Sequence, residues 1–344
     1  MRFEQLLHET IDEMAGELHA PAAGLAARSM VKGRRIRRTR RLAAAGTAVV
    51  AVVAVVVSWT AVSRPDATAP PPVPAVSTSP IAPTALVASG VLPGGWVVTG
   101  AGYQALDRAT GEFVIMQGPM LPAPTGNRIL IIDGPESVRL TDVRGTNPVT
   151  VDTSGLVGDY SWSPAGDRLT GGVSQKEPFK IGFAIIDART GTVRKQWIDA
   201  DRYDCSQCSF TWTRDGTEVV MPIADRSGGE AEERVASLQL FNADTGAPTR
   251  SLPVTAMPSG PFSWSPDGRY VLAGPPGTSL GWRRFDLTTG QSQPFPKDAM
   301  WVSNDVLLAP QDGKVLSLKP DGTTTATIDV GAPGRGLITL GPPG

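Results

Sequence analysis

Histidine and cysteine are the residues that this sequence has least of. Its two histidines, His8 and His19, both precede residue 42, and its two cysteines are Cys205 and Cys208. Residues 63–344 therefore cannot assemble a Ser-His-Asp or Cys-His catalytic relay, and they cannot supply a histidine-ligated zinc or iron site. This composition predicts no catalytic residue, no metal ligand and no cofactor in the long C-terminal part.

Charge is missing from one long stretch, Leu42–Val62. Its 21 residues include eight valines and seven alanines. As a helix they would measure about 31 Å, close to the roughly 30 Å hydrocarbon thickness of a bilayer. Backbone groups in lipid must be hydrogen-bonded within the segment, so a single span is helical despite its valine content. Leu42–Val62 is therefore predicted to be a transmembrane helix.

The basic residues in front of this stretch predict its orientation. Residues 28–41 hold seven arginines and one lysine with no acid. Positive charge marks the cytoplasmic side, so residues 1–41 are predicted to lie in the cytoplasm and everything after the span outside. A signal peptide cleaved near residues 61–63 is the alternative, but the usual apolar region of about 7–15 residues is shorter, which favours an uncleaved signal-anchor. The topology signal comprises Arg34, Arg35, Arg37, Arg38, Arg40 and Arg41.

Net charge differs between the two sides of the predicted membrane. Residues 1–41 hold nine Lys or Arg against five Asp or Glu, whereas the remaining residues hold 23 against 28. The exported part is mildly acidic and lacks the clustered basic face that nucleic-acid binding requires, so no nucleic-acid partner is expected. The position of the arginine run beside anionic lipid explains it fully.

Residues 1–20 have the spacing of an amphipathic helix. Phe3, Leu7, Ile11, Met14 and Leu18 recur at steps of three or four and form one apolar stripe. The stripe can fold back on a second short helix or on the membrane surface, or it can dock a cytoplasmic protein by helix-in-groove binding. After the span, residues 63–91 carry seven prolines among Ala, Ser and Thr, which predicts an extended linker without a core.

From about Leu92 the sequence repeats a short motif. The clearest copies are Tyr160–Leu169, Phe210–Val219 and Phe262–Val271. Each has an aromatic residue two positions before a tryptophan, then a turn of the Ser-Pro-Asp-Gly type, then an apolar run. Serine bonds back to the backbone at the first turn position, proline presets φ at the second, and glycine closes the turn. Each copy predicts two antiparallel strands joined by a tight turn.

A second motif accompanies the first. It reads as an apolar residue, Asp or Asn, two variable residues, Thr and Gly. An Asp or Asn that caps a short turn ending in a glycine with positive φ is a hairpin signal. These side chains are therefore predicted to build turns and to contact no ligand. They are Asp107, Asp187, Asn242 and Asp286.

Four tryptophans are spaced like the blades of a propeller. Trp162, Trp212, Trp264 and Trp301 lie 50, 52 and 37 residues apart, near the roughly 40–50 residues of one blade. The spacing predicts an all-β domain over residues 92–341, a propeller of about six blades. Each of the four blades that contain these tryptophans is predicted to bury its tryptophan. The predicted blades are residues 92–118, 119–153, 154–200, 208–253, 260–297 and 299–329.

The first predicted blade has room for three strands. The sequence ends with a further apolar run, Gly336–Gly341, that no turn follows. This run is predicted to supply the fourth strand of the first blade and close the ring, which removes an exposed sheet edge.

The run Trp-Ser-Pro-Asp-Gly-Arg-Tyr-Val-Leu at residues 264–272, with its two weaker copies, resembles the repeat of TolB-like and other WD-type propellers. The resemblance covers roughly residues 92–341 and implies a propeller that serves as a binding platform; the second and sixth blades depart from the motif. The layout of the whole chain is also similar to that of membrane-anchored proteins of actinobacteria, some encoded beside extracytoplasmic-function sigma factors. The His and paired-Cys pattern of zinc-type anti-sigma factors is absent from residues 1–41.

The two cysteines are three residues apart in the segment between the third and fourth predicted blades. A zinc site would need two more Cys or His ligands, and a thioredoxin-like pair would need a helix N-terminus after a strand. Cys205 and Cys208 are therefore predicted to form a local disulfide in an oxidising compartment, with free thiols as the alternative.

Two polar segments are candidates for contacts with other molecules. Asp199, Asp201 and Asp204 could bind Ca²⁺, but their spacing departs from the EF-hand loop, which favours an acidic loop between blades. The Gly-rich insertion Asp225–Arg234 is predicted to project from the fourth blade. Projecting loops are where propellers often bind.

These features favour one function and leave two alternatives. The favoured function is a membrane-anchored protein whose exported propeller binds a protein or an envelope ligand without catalysis. The first alternative is a transmembrane signalling regulator whose residues 1–41 bind a sigma factor or another cytoplasmic protein while the propeller senses outside. The second is an enzyme, which the missing histidines disfavour.

Overall fold

The structure is a computed structural model. It describes residues 92–134, 136–205, 208–225, 234–275, 281–330 and 338–344. The predicted cytoplasmic helix, transmembrane helix with its arginine run, and linker all fall in residues 1–91 and lie outside the described residues. Within the described ranges, no helix has the length and apolar character needed to span a membrane.

The described residues form 23 strands and two short 3₁₀ turns, Pro93–Gly95 and Pro261–Ser263. Blade 1 contains β1 (Val97–Ala101), β2 (Gln104–Asp107) and β3 (Glu112–Ile115). Blade 2 contains β4 (Met120–Pro122), β5 (Arg128–Ile132), β6 (Ser137–Asp142) and β7 (Val149–Asp152). Blade 3 contains β8 (Leu156–Trp162), β9 (Arg168–Gln175), β10 (Lys180–Asp187) and β11 (Val193–Ile198).

Three further blades follow, and the last strand returns to the first blade. Blade 4 contains β12 (Thr211–Trp212), β13 (Glu218–Asp225), β14 (Arg234–Asn242) and β15 (Pro248–Leu252). Blade 5 contains β16 (Tyr270–Ala273), β17 (Arg283–Asp286) and β18 (Ser292–Pro294). Blade 6 contains β19 (Met300–Trp301), β20 (Leu307–Gln311), β21 (Lys314–Leu318) and β22 (Thr324–Asp329), and β23 (Ile338–Gly341) joins blade 1. The six antiparallel sheets confirm the predicted six-bladed propeller.

The ring closes where the C-terminal run meets the first blade. β23 pairs antiparallel with β1, with Val97 opposite Gly341 and Ala101 opposite Ile338. Ile338 and Leu340 are buried with Trp96 and Val98 of blade 1. The sheet of blade 1 therefore contains strands from both ends of the propeller. This agrees with the prediction that the C-terminal run supplies the fourth strand of the first blade.

Blade 5 differs from the prediction at its first strand. Phe262 and Trp264 have the alternation of a strand, but residues 261–263 form a 3₁₀ turn. Trp264 alone pairs with the next strand, in an isolated bridge to Val271. Pro261 explains the difference, because proline has no N–H for the ladder and fixes φ.

The first strand of each blade lies towards the centre of the ring, and the last strand lies at the rim. β12 and β19 begin blades 4 and 6, and most of their residues are buried. β15 and β22 end the same blades and expose most of their residues. In blade 1, β23 takes the central place. The centre of the ring is the axis of the propeller.

The two ends of the strands form two different faces. Neighbouring strands run antiparallel, so the turns between first and second strands and between third and fourth strands share one face. We call it the turn face, and both sequence motifs belong to it. The connections between second and third strands, and from each blade to the next, share the opposite face. We call that one the loop face.

Six apolar clusters of described residues make the core, one between each pair of neighbouring blades. Between blades 3 and 4, for example, Phe183 packs with Trp212 and Met221. Phe262 is an exception, because it leaves blade 5 and packs against Trp96 of blade 1, with ring centroids 5.1 Å apart. Phe262 therefore reaches across the centre of the ring.

The four repeated tryptophans are buried and face the preceding blade. The indole N–H of Trp162 donates to the carbonyl of Leu121 at 3.0 Å, and that of Trp212 donates to the carbonyl of Ser161 at 3.0 Å. Trp264 donates in the same way to the carbonyl of Trp212 at 3.1 Å. Among the described residues, the indole N–H of Trp301 has no hydrogen-bond partner. Three of these side chains thus join blades by a hydrogen bond as well as by packing.

Candidate binding face

The Asp and Asn residues of the second motif lie in the turns between third and fourth strands. Asp187 Oδ1 accepts hydrogen bonds from the backbone N–H of Thr190 at 2.7 Å and from its hydroxyl at 2.8 Å. Asn242 Oδ1 accepts the same two bonds from Thr245, at 2.9 and 3.0 Å. Burial alone would raise the pKa of Asp187, but these hydrogen bonds lower it. The equivalent residues of blades 1 and 5 are Asp107 and Asp286.

Asp107 is the most enclosed of these residues. Its carboxylate accepts a hydrogen bond from Asn127 at 2.8 Å and pairs with the guanidinium of Arg144 on blade 2. The hydrogen bond from Arg144 is the main cause that lowers the pKa of the Asp107 carboxyl. The side chain is saturated with protein donors, so it has no free acceptor for a ligand.

Arginines on the turn face join each of blades 1–5 to the following blade. A guanidinium group of one blade donates to a backbone carbonyl of its neighbour, and a hydrogen bond from a charged donor contributes about 1.5–3 kcal/mol. The pairs are Arg108 to Pro124, Arg128 to Ala188, Arg168 to Gly216, Arg214 to Trp264, and Arg284 to Pro320.

Arg214 connects three blades. It occupies the turn position that Pro164 and Pro266 hold in the neighbouring copies of the motif. Its Nη1 atom donates to the carbonyl of Trp264 at 3.1 Å and to the carbonyl of Trp301 at 2.9 Å. Burial lowers the pKa of Arg214. Contacts between blades therefore occupy the centre of the turn face.

A shallow depression on the turn face of blade 3 is equally engaged. It is half open, has a volume of about 290 Å³ and includes Arg168 and Arg194 in its lining. Both guanidinium groups pair with Asp244 of blade 4, at 3.4 and 3.0 Å. These ion pairs make the depression part of the contact between two blades.

The two cysteines lie in the connection from blade 3 to blade 4, on the loop face. Their Sγ atoms are within disulfide distance, and the Cα atoms are 4.9 Å apart. Cys205 is buried with Tyr203 and Phe210, and it bridges to Ile223 of blade 4. The pair therefore ties this connection to the neighbouring blade.

The acidic residues before the cysteines form a local turn. Asp199 Oδ1 accepts the backbone N–H groups of Asp201 at 3.0 Å and Arg202 at 3.3 Å. In the part of the chain that the structure describes, no group of three or more His, Cys, Asp or Glu side chains could hold a metal ion.

Exposed apolar side chains are concentrated on one part of the loop face. Five large apolar residues in the described ranges are exposed, from 37% for Trp197 to 66% for Phe179. All five lie in blades 1–3, in loop-face connections or within one residue of the loop-face end of a strand. We call them the apolar patch: Tyr103, Ile115, Ile132, Phe179 and Trp197.

A polar group lies closer to the axis on the same face. Asp298 precedes β19, and Ser259 and Ser263 precede the bridging residue of blade 5. The Ser259 hydroxyl lies 2.9 Å from Asp298 Oδ1 and 3.0 Å from the Ser263 hydroxyl. Asp298 is exposed, yet the protein around its carboxyl group desolvates it and raises its pKa to about 6. Most other carboxyl groups on these blades whose pKa is shifted have a lowered pKa.

Sequence reasoning did not identify the apolar patch, the arginine contacts or Asp298. Apolar residues at strand ends continue the alternation of the core, so exposure cannot be read from the pattern. One feature indicates that Phe179 is exposed: it lies between Pro178 and Lys180, in a connection rather than in a strand. A second was Arg214, which replaces the proline of the repeated turn.

No protein-family model matches this chain, and no curated protein sequence matches it. Solved structures are similar to it. TolB from Acinetobacter baumannii has a TM-score of 0.41 and 15% identity over 68% of this chain and 62% of that chain. A TolB candidate from Agrobacterium tumefaciens has a TM-score of 0.42 and 15% identity over 70% of this chain and 98% of that chain. This chain thus spans less than two thirds of the Acinetobacter protein, and the likeness concerns the fold alone.

Proposed function

We propose that this chain is a non-catalytic binding protein whose loop face recognises a protein partner. The observation that carries the proposal is the apolar patch on blades 1–3. These side chains share the loop face of three consecutive blades, and aromatic residues are the side chains that most often anchor protein interfaces. Tyr103, Phe179 and Trp197 supply three such anchors.

The rest of the propeller supports the same face. The turn face is occupied by the arginine contacts and by capped turns. The chain also enters the propeller on the turn face, because Leu92 and Trp96 precede the start of β1 there. The exposed large apolar side chains of the described residues lie on the loop face, and propellers offer such connections for binding.

Binding through the patch can be tested by crosslinking and substitution in the full chain. A photoreactive residue at Phe179 is expected to give a specific crosslinked product with the partner, whereas one at Gln291, exposed on the turn face, is not.

The double substitution Tyr103→Ser with Phe179→Ser is expected to weaken binding of that partner at least tenfold without lowering the melting temperature. The reason is that each truncated anchor loses more than about 1 kcal/mol of binding free energy. Equal amounts of crosslinked product from both faces, or no product from Phe179, would contradict the proposal. A product in which Phe179 is crosslinked to an envelope polymer would show that the ligand is this polymer and not a protein.

We further propose that Leu42–Val62 anchors the chain in a membrane with the propeller outside. The uncharged span and the arginines before it support this topology. Residues 1–41 then remain in the cytoplasm, where their apolar stripe is available to a cytoplasmic regulator.

Protease added to intact cells is expected to digest the propeller and to leave an epitope at the N-terminus intact. Opening the cells should make that epitope accessible too. A propeller that resists protease in intact cells but is cleaved after lysis would place it inside and overturn this topology. A surface protein and a cytoplasmic protein serve as the two controls in the same samples.

A further inference from the structure

The two cysteines lie at a break in the ladder between β12 and β13. Thr211 pairs with Val220, and the next residue that pairs with β13 is Cys205, which forms an isolated bridge to Ile223. Five residues separate Cys205 from Thr211 and two separate Val220 from Ile223, so three residues are in excess on the side of the cysteines. An unbroken ladder would place Cys208 opposite Ile223. The disulfide therefore joins the two residues that compete for this one position.

Pro222 accounts for the break. The backbone N–H of Thr213 donates to the carbonyl of Glu218 at 3.0 Å, so the alternate residues Val220 and Pro222 direct their backbone groups towards β12. Proline has no N–H, so the ladder cannot continue past it in full. The excess residues form a bulge, a device that is common beside binding surfaces.

The cross-link across this bulge has the features of a disulfide that exchanges. Cys208 has a φ of 50°, in the left-handed region that side chains rarely adopt. It is partly exposed, whereas Cys205 is buried. The ring extends over a sequence separation of only three residues, and a short ring constrains the unfolded chain least. Strained or exposed disulfides are more easily reduced than structural ones.

The disulfide packs against the strand ends that carry two residues of the apolar patch. Both cysteines belong to the cluster that contains Ile198 and, at its edge, Ile181. These two isoleucines are paired in the β10–β11 ladder. Trp197 directly precedes Ile198, and Phe179 lies two residues before Ile181. The disulfide therefore helps to hold the ends of β10 and β11 that position Trp197 and Phe179.

We propose that the disulfide between Cys205 and Cys208 is a redox switch for the blade 3 part of the binding face. The inference rests on the proposed function and adds its regulation. In the oxidised state the cluster holds the ends of β10 and β11. Reduction by a dithiol frees the two cysteines to move apart, so Phe179 and Trp197 lose their fixed positions.

The reaction is thiol–disulfide exchange with a dithiol as the reductant. One thiolate of the dithiol attacks the sulfur of Cys208, the more exposed cysteine, and the bond between the two cysteines breaks. Cys205 leaves as a thiolate and takes up a proton. The second thiolate of the dithiol then attacks its own mixed disulfide and releases Cys208 in the same way. Two electrons pass to the protein disulfide, and the dithiol becomes a disulfide.

Millimolar dithiothreitol tests whether this disulfide is reduced in the folded chain. The full chain in detergent is treated without denaturant, and its thiols are labelled with a maleimide polymer that retards the chain in a denaturing gel. Both cysteines are expected to be labelled after reduction and neither before it. Cys205→Ala with Cys208→Ser is the unlabelled control. Labelling that needs denaturant, or that occurs before reduction, would overturn the inference.

Amide hydrogen exchange measures the response of the binding face. Reduction is expected to speed exchange in residues 180–183 and 195–198 by at least about tenfold, because local opening sets the exchange rate of hydrogen-bonded amides. β20 and β21, on the opposite side of the ring, should keep their rates. Cys205→Ala with Cys208→Ser should exchange at the fast rate with and without dithiothreitol. Unchanged exchange in residues 180–183 and 195–198, or equal acceleration in all blades, would contradict the switch.

Crosslinking from Phe179 separates this inference from the proposed function. The amount of product with the partner is expected to fall when the chain is reduced. If the product forms equally with and without dithiothreitol, the binding face stands and the switch fails. If exchange responds to reduction but no product forms from Phe179 in either state, the redox response stands and the role of the apolar patch fails.

Discussion

Replacing Trp212 by alanine is expected to lower the free energy of unfolding by about 3–5 kcal/mol, the usual loss for a buried tryptophan. Trp212 is fully buried between blades 3 and 4, where it packs with Phe183 and Met221. The guanidinium of Arg168 covers its ring at 5.0 Å. Thermal melting of the full chain should show a fall of about 10 °C, since about 1 kcal/mol shifts a domain of this size by roughly 2–4 °C.

A substitution of the same type on the loop face is the control. Trp197 is 37% exposed, so Trp197→Ala should lower the free energy of unfolding by less than Trp212→Ala does. A second comparison isolates the indole hydrogen bond. Trp212→Phe leaves the Ser161 carbonyl without its donor, whereas Trp301→Phe breaks no described hydrogen bond. Trp212→Phe should therefore destabilise the chain by about 1 kcal/mol more than Trp301→Phe. Equal losses would show that the hydrogen bonds between blades contribute nothing.

The fold could be predicted from the sequence because its signals are local. A Ser-Pro-Asp-Gly turn sets its own backbone angles, and a tryptophan at a fixed offset before it marks the buried side of the same hairpin. Gly166, Gly216 and Gly268, which close the three copies of this turn, all have φ near +69°. The prediction was wrong where one residue overrode the pattern, at Pro261, which replaces the start of a strand by a 3₁₀ turn.

The candidate binding face could not be predicted in the same way, because its residues are brought together by the ring. Asp298 and Ser259 are 39 residues apart. Arg214 contacts Trp301 across 87 residues. Such contacts follow from the angle between blades, which no local spacing encodes. Exposure of Phe179 and Tyr103 likewise depends on which strand end reaches the surface.

Ending the chain after residue 337 is expected to abolish cooperative folding of the propeller. The deletion removes β23, which pairs with β1 at four positions and buries Ile338 and Leu340 against blade 1. Burial of these two side chains alone contributes about 3–6 kcal/mol, a large share of the roughly 5–15 kcal/mol that stabilises a domain. Melting followed by circular dichroism should lose its sharp transition, and the unpaired edge of β1 should promote aggregation.

Ending the chain after residue 341 separates ring closure from mere shortening. This shorter deletion keeps β23 and removes only the segment whose Pro342 carbonyl accepts a hydrogen bond from Arg108 at 3.0 Å. It should lower the free energy of unfolding by about 1–3 kcal/mol and leave a cooperative transition. Blade 5 shows that a blade can form without a full first strand, since Trp264 pairs there through a single bridge. If the chain ending at 337 melts like the one ending at 341, blade 1 has the same tolerance, and neighbour packing rather than β23 holds the ring together.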